Sequence, residues 1–354
     1  MRALLGNSAI DVDEWLRALD FRLPRAEQIE IGAVDNEHVH ARRVRGGNAL
    51  ALGNCGTMPD RIVTATAADG SFSIVAGITT DLVRETQRRH QLAPTASAAT
   101  GRLLTGATLL GASLKGREKL TLQVASDGPL RGKVADVKLN SPLEIGARGY
   151  ARRPEVDVPL NDRGKFDVGG AVGNGYLQVT RSFEVGQPYV GIVELQSGEI
   201  GEDIAAYLMS SEQIPSVVAL GVLADPRGIK AAGGIIAQAL PGADERTIGV
   251  IERRALEMES PTAQIDGGAS VEDLARSLAG DLDLRFTRDY RVAFTCTCSR
   301  ERVERVLLGL GEEELRKIAS EQHQTEAVCE FCRTAYVLSR DEVLGLIEQL
   351  AARS

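Results

Sequence analysis

Aromatic side chains are scarce in this chain: they make up 4% of its 354 residues and include a single tryptophan, Trp15. A core built from this sequence is therefore expected to be aliphatic, and the length is enough for two or three domains. The sequence also lacks any run of about 18 apolar residues, so no membrane-spanning helix is expected. No sustained apolar stretch follows Met1, so the sequence predicts no signal peptide.

Positive charge is also in short supply toward the C-terminus. The net charge is −8, and residues 241–354 hold 15 Lys and Arg against 22 Asp and Glu, a local balance of −7. Nucleic-acid binding requires clustered positive charge, so no nucleic-acid partner is expected. There are five cysteines, four of them in close pairs, which fits metal binding in a reducing, cytoplasmic setting better than a secreted disulfide framework.

Residues 1–57 differ from the rest of the chain because they are weakly patterned. They include Trp15 and the odd cysteine, Cys55, and only Asp11–Phe21 predicts a short amphipathic helix. Clear strand and helix signals begin after Met58. One interpretation is that translation starts at Met58, and the alternative is a genuine, partly disordered N-terminal extension.

The remaining chain predicts three parts. Residues 58–240 alternate strand and helix patterns, as expected of an α+β (α/β) core domain with a mixed sheet and packed helices. Residues 241–290 predict charged helices whose apolar stripes are too narrow for a core of their own, which indicates a helical linker of marginal stability. Residues 291–354 are polar and hold four cysteines, so a metal is the expected staple of this small C-terminal domain.

Short local motifs place several elements. Asp69-Gly70 predicts a hairpin turn, and Pro94 predicts the start of a long, mostly buried helix. Ser270 and Asp273 form a capping box that predicts a helix start within the linker. In the C-terminal domain, Ser299 predicts a helix cap, and Ser339 with Glu342 predicts a second capping box. Residues 260–269, just before it, are rich in Gly, Ser, Pro and Thr and predict a loop.

The most informative feature is the set of four cysteines, a C-x-C pair (Cys296, Cys298) and a C-x-x-C pair (Cys329, Cys332) with 30 residues between them. Two close thiol pairs can supply the four soft donors that zinc requires. One interpretation is a purely structural zinc ribbon. The other is a redox-responsive centre, because oxidation within each close pair would expel the ion. His323 could replace one thiol, but four thiols suffice, so it is expected at the surface.

Two other motifs favour ordinary structural roles. The glycine-rich run 169–175 resembles a phosphate cradle only superficially, because it fits neither the dinucleotide-binding nor the P-loop pattern. A sheet turn or tight backbone packing is the expected explanation. His90 could in principle be catalytic, but no nucleophile or carboxylate motif accompanies it, so a surface histidine is expected.

The cysteine-bearing segments Phe294–Arg302 and Val328–Cys332 resemble the redox switch of the heat shock protein 33 family, the redox-regulated chaperonins. Four upstream segments resemble the family in the same order: Glu85–His90, Val168–Gly173, Ser197–Ile200 and Ser211–Ser216. The resemblance runs from about Arg61 to Ala351. It leaves out residues 1–57, and Cys55 matches no cysteine of the switch.

This resemblance implies an ATP-independent chaperone holdase and no enzymatic activity. In the reduced, inactive state Cys296, Cys298, Cys329 and Cys332 would together bind one Zn²⁺. Oxidative stress would form the disulfides Cys296–Cys298 and Cys329–Cys332, release zinc, and unfold the zinc domain and the linker. The apolar surface thus exposed would bind unfolding client proteins, and the oxidised form is expected to be a homodimer.

Two rival functions are weighed against the holdase. A zinc-dependent thiol–disulfide oxidoreductase would use Cys329 and Cys332, but a catalytic C-x-x-C usually begins a helix after a strand and is not paired with a C-x-C. A zinc-ribbon regulator that binds nucleic acid is disfavoured by the acidic charge of the C-terminal region.

Overall fold

The structure is a computed structural model, and it describes residues 21–22, 59–162, 164–225 and 227–351. The described chain divides into two compact units. One contains residues 59–298 and 330–333, and the other contains residues 299–329 and 334–351 together with a two-residue strand, β1 (Phe21–Arg22). The helix predicted at Asp11–Phe21 lies outside the described residues except for Phe21, and Cys55 and Met58 lie outside them too.

The first unit is built on a ten-stranded mixed sheet with the spatial order β8-β7-β4-β5-β6-β11-β2-β3-β10-β9. All neighbouring strands are antiparallel except β11 and β6, which are parallel. This arrangement confirms the predicted mixed sheet. The strands are β2 (Arg61–Ala67), β3 (Phe72–Ile78), β4 (Lys119–Ser126), β5 (Gly132–Ser141), β6 (Glu144–Ala151), β7 (Gly175–Ser182), β8 (Tyr189–Glu194), β9 (Ser216–Asp225), β10 (Gly228–Ala239) and β11 (Leu284–Phe294).

The predicted hairpin between β2 and β3 is present. Gly70 adopts φ +78° and its N–H donates to the Ala67 carbonyl at 2.9 Å, so the turn uses the left-handed conformation that glycine tolerates. Alternating residues of β2 then face opposite sides of the sheet, and Ile62 and Val63 enter two different apolar clusters. The sheet therefore has two separate cores, one on each face.

The larger core lies under α2 (Pro94–Gly111), which begins at Pro94 as predicted. This helix is made mainly of Ala, Leu, Thr and Gly, and its small side chains let it approach the sheet closely. It packs with α1 (Thr80–His90), α3 (Val168–Val172) and α4 (Gly201–Ser210). The cluster is aliphatic, as the composition predicts, and its fully buried members include Leu103, Leu104, Leu122, Val137, Ile145 and Ile204.

The smaller core is covered by three helices of the charged segment, α5 (Glu245–Glu257), α6 (Pro261–Asp266) and α7 (Val271–Ala279). Their buried residues pack on the sheet face that carries Val63, Phe72 and Ile74, and include Ile251, Leu274 and Leu278. The capping box is present, since Ser270 Oγ accepts the Asp273 N–H at 3.1 Å and Asp273 accepts the Ser270 N–H at 3.0 Å.

Two expectations for residues 241–290 are wrong. Residues 260–269 are not simply a loop, because Ser260 caps α6 and Pro261 occupies its first turn. The helical character does not continue to Tyr290 either: β11 begins at Leu284 and pairs with β2 and β6. Apolar residues at alternate positions, such as Tyr290, Val292 and Phe294, suit a strand, and the intervening charged residues obscured that pattern.

The second unit is small. It contains α8 (Arg300–Leu308), α9 (Glu312–Glu321), β12 (Gln324–Cys329), β13 (Ala335–Ser339) and α10 (Arg340–Ala351), with β1 paired to β12. Ser299 caps α8 and Ser339 shares a capping box with Glu342, as predicted. Its buried apolar side chains are few and include Val303, Leu307, Leu315, Leu338 and Leu346. So small a core gives little stability of its own.

Candidate metal centre

The C-x-C pair follows directly from the end of β11. That strand ends where Phe294 pairs with Ala147 of β6, and the Thr295 N–H donates to the Ala147 carbonyl at 3.0 Å. The residues that follow carry Cys296 and Cys298, both half-buried. Pairing with β6 therefore fixes the position of the chain segment that carries this pair of thiols.

The C-x-x-C pair lies at the tip of the β12–β13 hairpin. Cys329 ends β12, and its N–H donates to the Thr334 carbonyl at 3.0 Å, which closes the turn that contains Cys332. The turn needs one left-handed residue, and Arg333 adopts it with φ +59°. Cys329 and Cys332 are 0% and 5% exposed.

The structure brings all four predicted site residues together. Their sulfur atoms all lie within 4.8 Å of one another, and the Cys298 and Cys332 sulfurs are 3.2 Å apart. In a tetrahedral zinc site with Zn–S bonds of about 2.3 Å, the sulfurs are about 3.8 Å apart. Both the donor set and its spacing therefore fit a thiolate-bound metal ion.

Arg148 on β6 places a positive charge beside the C-x-C pair. Its NH1 donates to Cys296 Sγ at 3.3 Å, while its Nε and NH2 bind Asp136 Oδ2 at 3.0 and 2.9 Å. The guanidinium therefore supplies both a hydrogen-bond donor and a positive charge at the sulfur of Cys296. Arg148 could not be recognised from the sequence, because Arg148 precedes Cys296 by 148 residues and belongs to no recognisable motif.

The Glu330–Arg333 turn packs on the core domain through the ring of Phe331. The guanidinium carbon of Arg148 lies 3.8 Å from the centre of that ring, and Tyr150 meets it edge-on at 5.2 Å between centroids. Phe331 and Tyr150 are both 4% exposed. An Arg over an aromatic face and an edge-to-face ring pair are both attractive contacts, so they stabilise this docked position.

The expectation that His90 is a surface residue is wrong. His90 ends α1, is 8% exposed, and its Nε2 lies 2.9 Å from the Phe331 carbonyl, to which it donates. Its ring also stacks on Tyr150 at 6.3 Å. Burial lowers the pKa of His90 from its ordinary value of 6.5, which favours the neutral ring. The contact spans 241 residues, so local sequence could not predict it.

The glycine-rich run 169–175 performs the predicted tight packing, although as a short helix and not as a sheet turn. Residues Val168–Val172 form α3, and a Cβ on Gly175, at the end of the run, would collide with the backbone carbonyl of Ala125. The run thus needs glycine there because the two backbones approach closely. His323 is exposed, as predicted.

A model of the family described as Hsp33 protein matches residues 60–339. This chain belongs to the Hsp33 family. The 33 kDa chaperonins of Clostridium beijerinckii and Clostridium acetobutylicum are each 43% identical to it, over 293 and 297 residues, which cover 82% and 83% of this chain and 99% of each relative. The family resemblance and the chaperone identity that the sequence suggests are thereby confirmed.

The fold is also that of a solved relative. The crystal structure of the 33 kDa chaperonin (heat shock protein 33 homolog) from Thermotoga maritima superimposes with a TM-score of 0.77 at 33% identity, and the match covers 83% of this chain and all of the other. Among the residues that the structure describes, every helix is too short or too polar to cross a membrane.

Proposed function

We propose that this Hsp33 protein is a redox-regulated, ATP-independent holdase that binds unfolding client proteins under oxidative stress. The observation that carries the proposal is the clustering of four thiols, contributed as two close pairs, within 4.8 Å. Structural zinc ribbons also use close thiol pairs, but their usual half-site is C-x-x-C, and the C-x-C spacing of Cys296 and Cys298 differs from it. Paired thiols can leave the metal by forming a disulfide within each pair.

In the reduced protein, Cys296, Cys298, Cys329 and Cys332 hold one Zn²⁺. The ion, when bound, keeps the four thiols deprotonated and holds the hairpin tip to the end of β11. Arg148 helps to hold Cys296 in this position by donating a hydrogen bond to its sulfur. Structural zinc contributes roughly 10–16 kcal/mol of apparent folding free energy in small domains, comparable to the whole stability of about 5–15 kcal/mol of a typical domain.

Oxidation consumes the thiolates in pairs. Each pair gives two electrons to the oxidant: with hydrogen peroxide, two thiolates and two protons yield one disulfide and two waters. The products are the Cys296–Cys298 and Cys329–Cys332 disulfides, whose sulfurs no longer supply four thiolate donors. The small second unit then loses the metal that stabilises it. Because its own hydrophobic core is too small to keep it folded, it unfolds.

The proposed consequence is exposure of the smaller core. The helices α5 to α7, within residues 245–279, act as the linker and detach when the zinc domain unfolds, which uncovers the sheet face that carries Val63, Phe72 and Ile74. An aliphatic and aromatic surface of this kind binds unfolded chains without sequence specificity. A homodimer in the oxidised state and a cytoplasmic location belong to the same proposal.

The test is a paired measurement on one sample. Hydrogen peroxide with mild heat is expected to release about one zinc per chain, followed with a chromophoric chelator, and to turn on suppression of client aggregation, followed by light scattering. A reduced, zinc-loaded sample that suppresses aggregation equally well would contradict the switch. Insulin-disulfide reduction is the control for the oxidoreductase alternative, and no appreciable turnover is expected.

A further inference from the structure

The turn between the last two cysteines occupies a site on the core domain that has its own recognition chemistry. We call this site the aromatic cup and define it as His90, Arg148 and Tyr150. Arg148 lies over one face of the Phe331 ring at 3.8 Å, and Tyr150 meets the ring edge-on. Phe331 as a whole is 4% exposed, so its ring is almost entirely shielded from solvent in this position.

The core domain binds the backbone of this turn as well as the ring. The His90 Nε2 donates to the Phe331 carbonyl at 2.9 Å, and the Arg89 NH1 donates to the Cys332 carbonyl at 3.2 Å. Two successive carbonyls are thus held by donors from the end of α1. Carbonyl oxygens are present in every polypeptide, so these two bonds recognise a peptide chain whatever its sequence.

The cup itself is held in place by the core domain. Arg148 is fixed by Asp136 on the adjacent strand β5, with bonds of 3.0 and 2.9 Å, and Arg89 by Glu85 at 2.7 Å on α1. Tyr150 lies on β6 and stacks with His90. These supports come from residues 85–150 and are independent of the cysteines, although Arg148 also donates to Cys296.

We propose that the aromatic cup is a client-binding subsite, which Phe331 covers in the reduced protein and vacates when the zinc domain unfolds. The partner it fits is a polypeptide segment that can adopt the same turn and present one aromatic side chain together with the carbonyls of that residue and of the next. Such segments are buried in folded proteins and exposed in unfolding ones. This inference rests on the proposed holdase function, since it assumes that oxidation frees the turn.

The test measures peptide binding by fluorescence anisotropy on the full chain. The probes are two labelled, uncharged ten-residue peptides that differ only in a central Phe or Ser. Oxidised wild type is expected to bind the Phe peptide at least about tenfold more tightly, because enclosing a Phe ring contributes at least the 1.4 kcal/mol that a tenfold difference requires. Reduced, zinc-loaded wild type is expected to bind neither peptide.

Two variants separate the cup from other apolar surfaces. Phe331→Ser removes the ring from the cup while the turn keeps its backbone bonds to His90 and Arg89, so the reduced, zinc-loaded variant is expected to bind the Phe peptide through the ring contacts alone, without oxidant. Tyr150→Ser removes one wall, and the oxidised variant is expected to lose the preference for Phe over Ser. Tyr176→Ser, a 52% exposed tyrosine on β7, is the matched control and should keep it.

The cup proposal is overturned if reduced Phe331→Ser, with its zinc content verified, binds both peptides alike or neither. It is also overturned if folded Tyr150→Ser keeps the wild-type preference. These readouts are separate from zinc release and aggregation suppression. Should oxidised wild type suppress aggregation while Phe331→Ser shows no preference, the holdase stands and the cup fails. Should oxidation release no zinc, the switch fails, and reduced Phe331→Ser still decides the cup.

Discussion

The two faces of strands β3 and β10 are covered in different ways. On one face α2 buries 15 of its 18 residues, while on the other α5 buries one of its 13 and α7 five of its nine. The linker helices instead add exposed charges and half-exposed ion pairs, such as Arg61–Glu272 at 2.9 Å and Lys230–Asp266 at 2.8 Å. One face of the sheet is thus covered by a nearly fully buried helix and the other by helices that stay partly exposed.

In the proposed switch, this difference lets the core domain stay folded while the linker helices detach. A helix buried on nearly all sides detaches only when the domain unfolds, because it would expose most of its surface to water. A helix held by a narrow apolar stripe and by surface ion pairs detaches at far lower cost. The proposed switch needs only the linker helices to detach, and the core domain can stay folded.

The largest effect is expected from breaking the metal site. Cys298→Ser removes one of four thiolate donors, so zinc affinity should fall steeply and residues 299–351 should lose most of their hydrogen-exchange protection. The variant should also suppress client aggregation partly without oxidant. Chelator competition, hydrogen-exchange mass spectrometry and light scattering measure these outcomes. Cys55→Ser is the matched control and should behave as wild type; equal zinc affinity in both variants would refute the ligand assignment.

The next effect compares the two covers directly. Leu104 in α2 and Leu274 in α7 are both 0% exposed, and replacing a buried Leu by Ala costs about 2–5 kcal/mol. Leu104→Ala should lower the thermal midpoint of the whole core domain without activating it. Leu274→Ala should loosen residues 245–279 and raise client binding by the reduced protein. If both variants lowered the midpoint equally and neither gained activity, the two covers would be equivalent.

A smaller effect concerns pH at the start of β2. Burial raises the pKa of Asp60 from its ordinary 3.8 to about 7. The backbone N–H groups of Asp81 and Leu82 donate to the carboxyl and lower its pKa, but burial has the larger effect. Between those values the unfolded chain is ionised while the folded carboxyl keeps its proton, so stability falls as pH rises from about 4 to 7. Asp60→Asn should therefore lose less thermal stability than wild type between pH 5 and 8.

The control for this pH effect is Asp69→Asn, because Asp69 is exposed in a turn and hydrogen bonds from Ser71 lower its pKa. Its contribution changes only below pH 4, so the variant should keep the wild-type response between pH 5 and 8. Scanning calorimetry measures the thermal midpoint at each pH. Identical profiles of midpoint against pH for wild type and Asp60→Asn would show that Asp60 has an ordinary pKa.

The smallest effect is expected at the ion pairs of the linker cover. Arg61 on β2 donates to Glu272 of α7 at 2.9 Å and to Asp289 of β11 at 2.6 Å. Partly exposed pairs contribute about 0.2–1 kcal/mol each, so Arg61→Gln should raise hydrogen exchange in residues 271–279 only a few-fold. The pair of Arg227 with Asp225, in which the Arg227 side chain is 87% exposed, provides the control, and Arg227→Gln should leave residues 271–279 unchanged.

Local sequence patterns predicted most of the elements because the physical signals are local. The capping residues Ser270, Ser299 and Ser339 begin helices where expected, and Pro94 opens α2. The cysteine site was also predictable, since four thiols in two close pairs leave few other ways to satisfy a metal.

What the sequence could not predict depends on contacts between distant residues. β11 is stabilised by pairing with β2 and β6, so its charged residues did not reveal a strand until those partners were known. The docking of Phe331 on Arg148 and His90 joins three segments of the chain, and no spacing rule links them. Residues 260–269 contain a six-residue helix that their turn-rich composition concealed.

The most direct test of the account is hydrogen-exchange mass spectrometry on the reduced, zinc-loaded and the oxidised, zinc-free protein, with aggregation suppression measured on the same samples. We expect oxidation to remove hydrogen-exchange protection from residues 299–351 and 245–279, while residues 94–111 in α2 keep their protection. Full aggregation suppression with unchanged protection at residues 245–279 would contradict it, because client binding would then not need the linker cover to open.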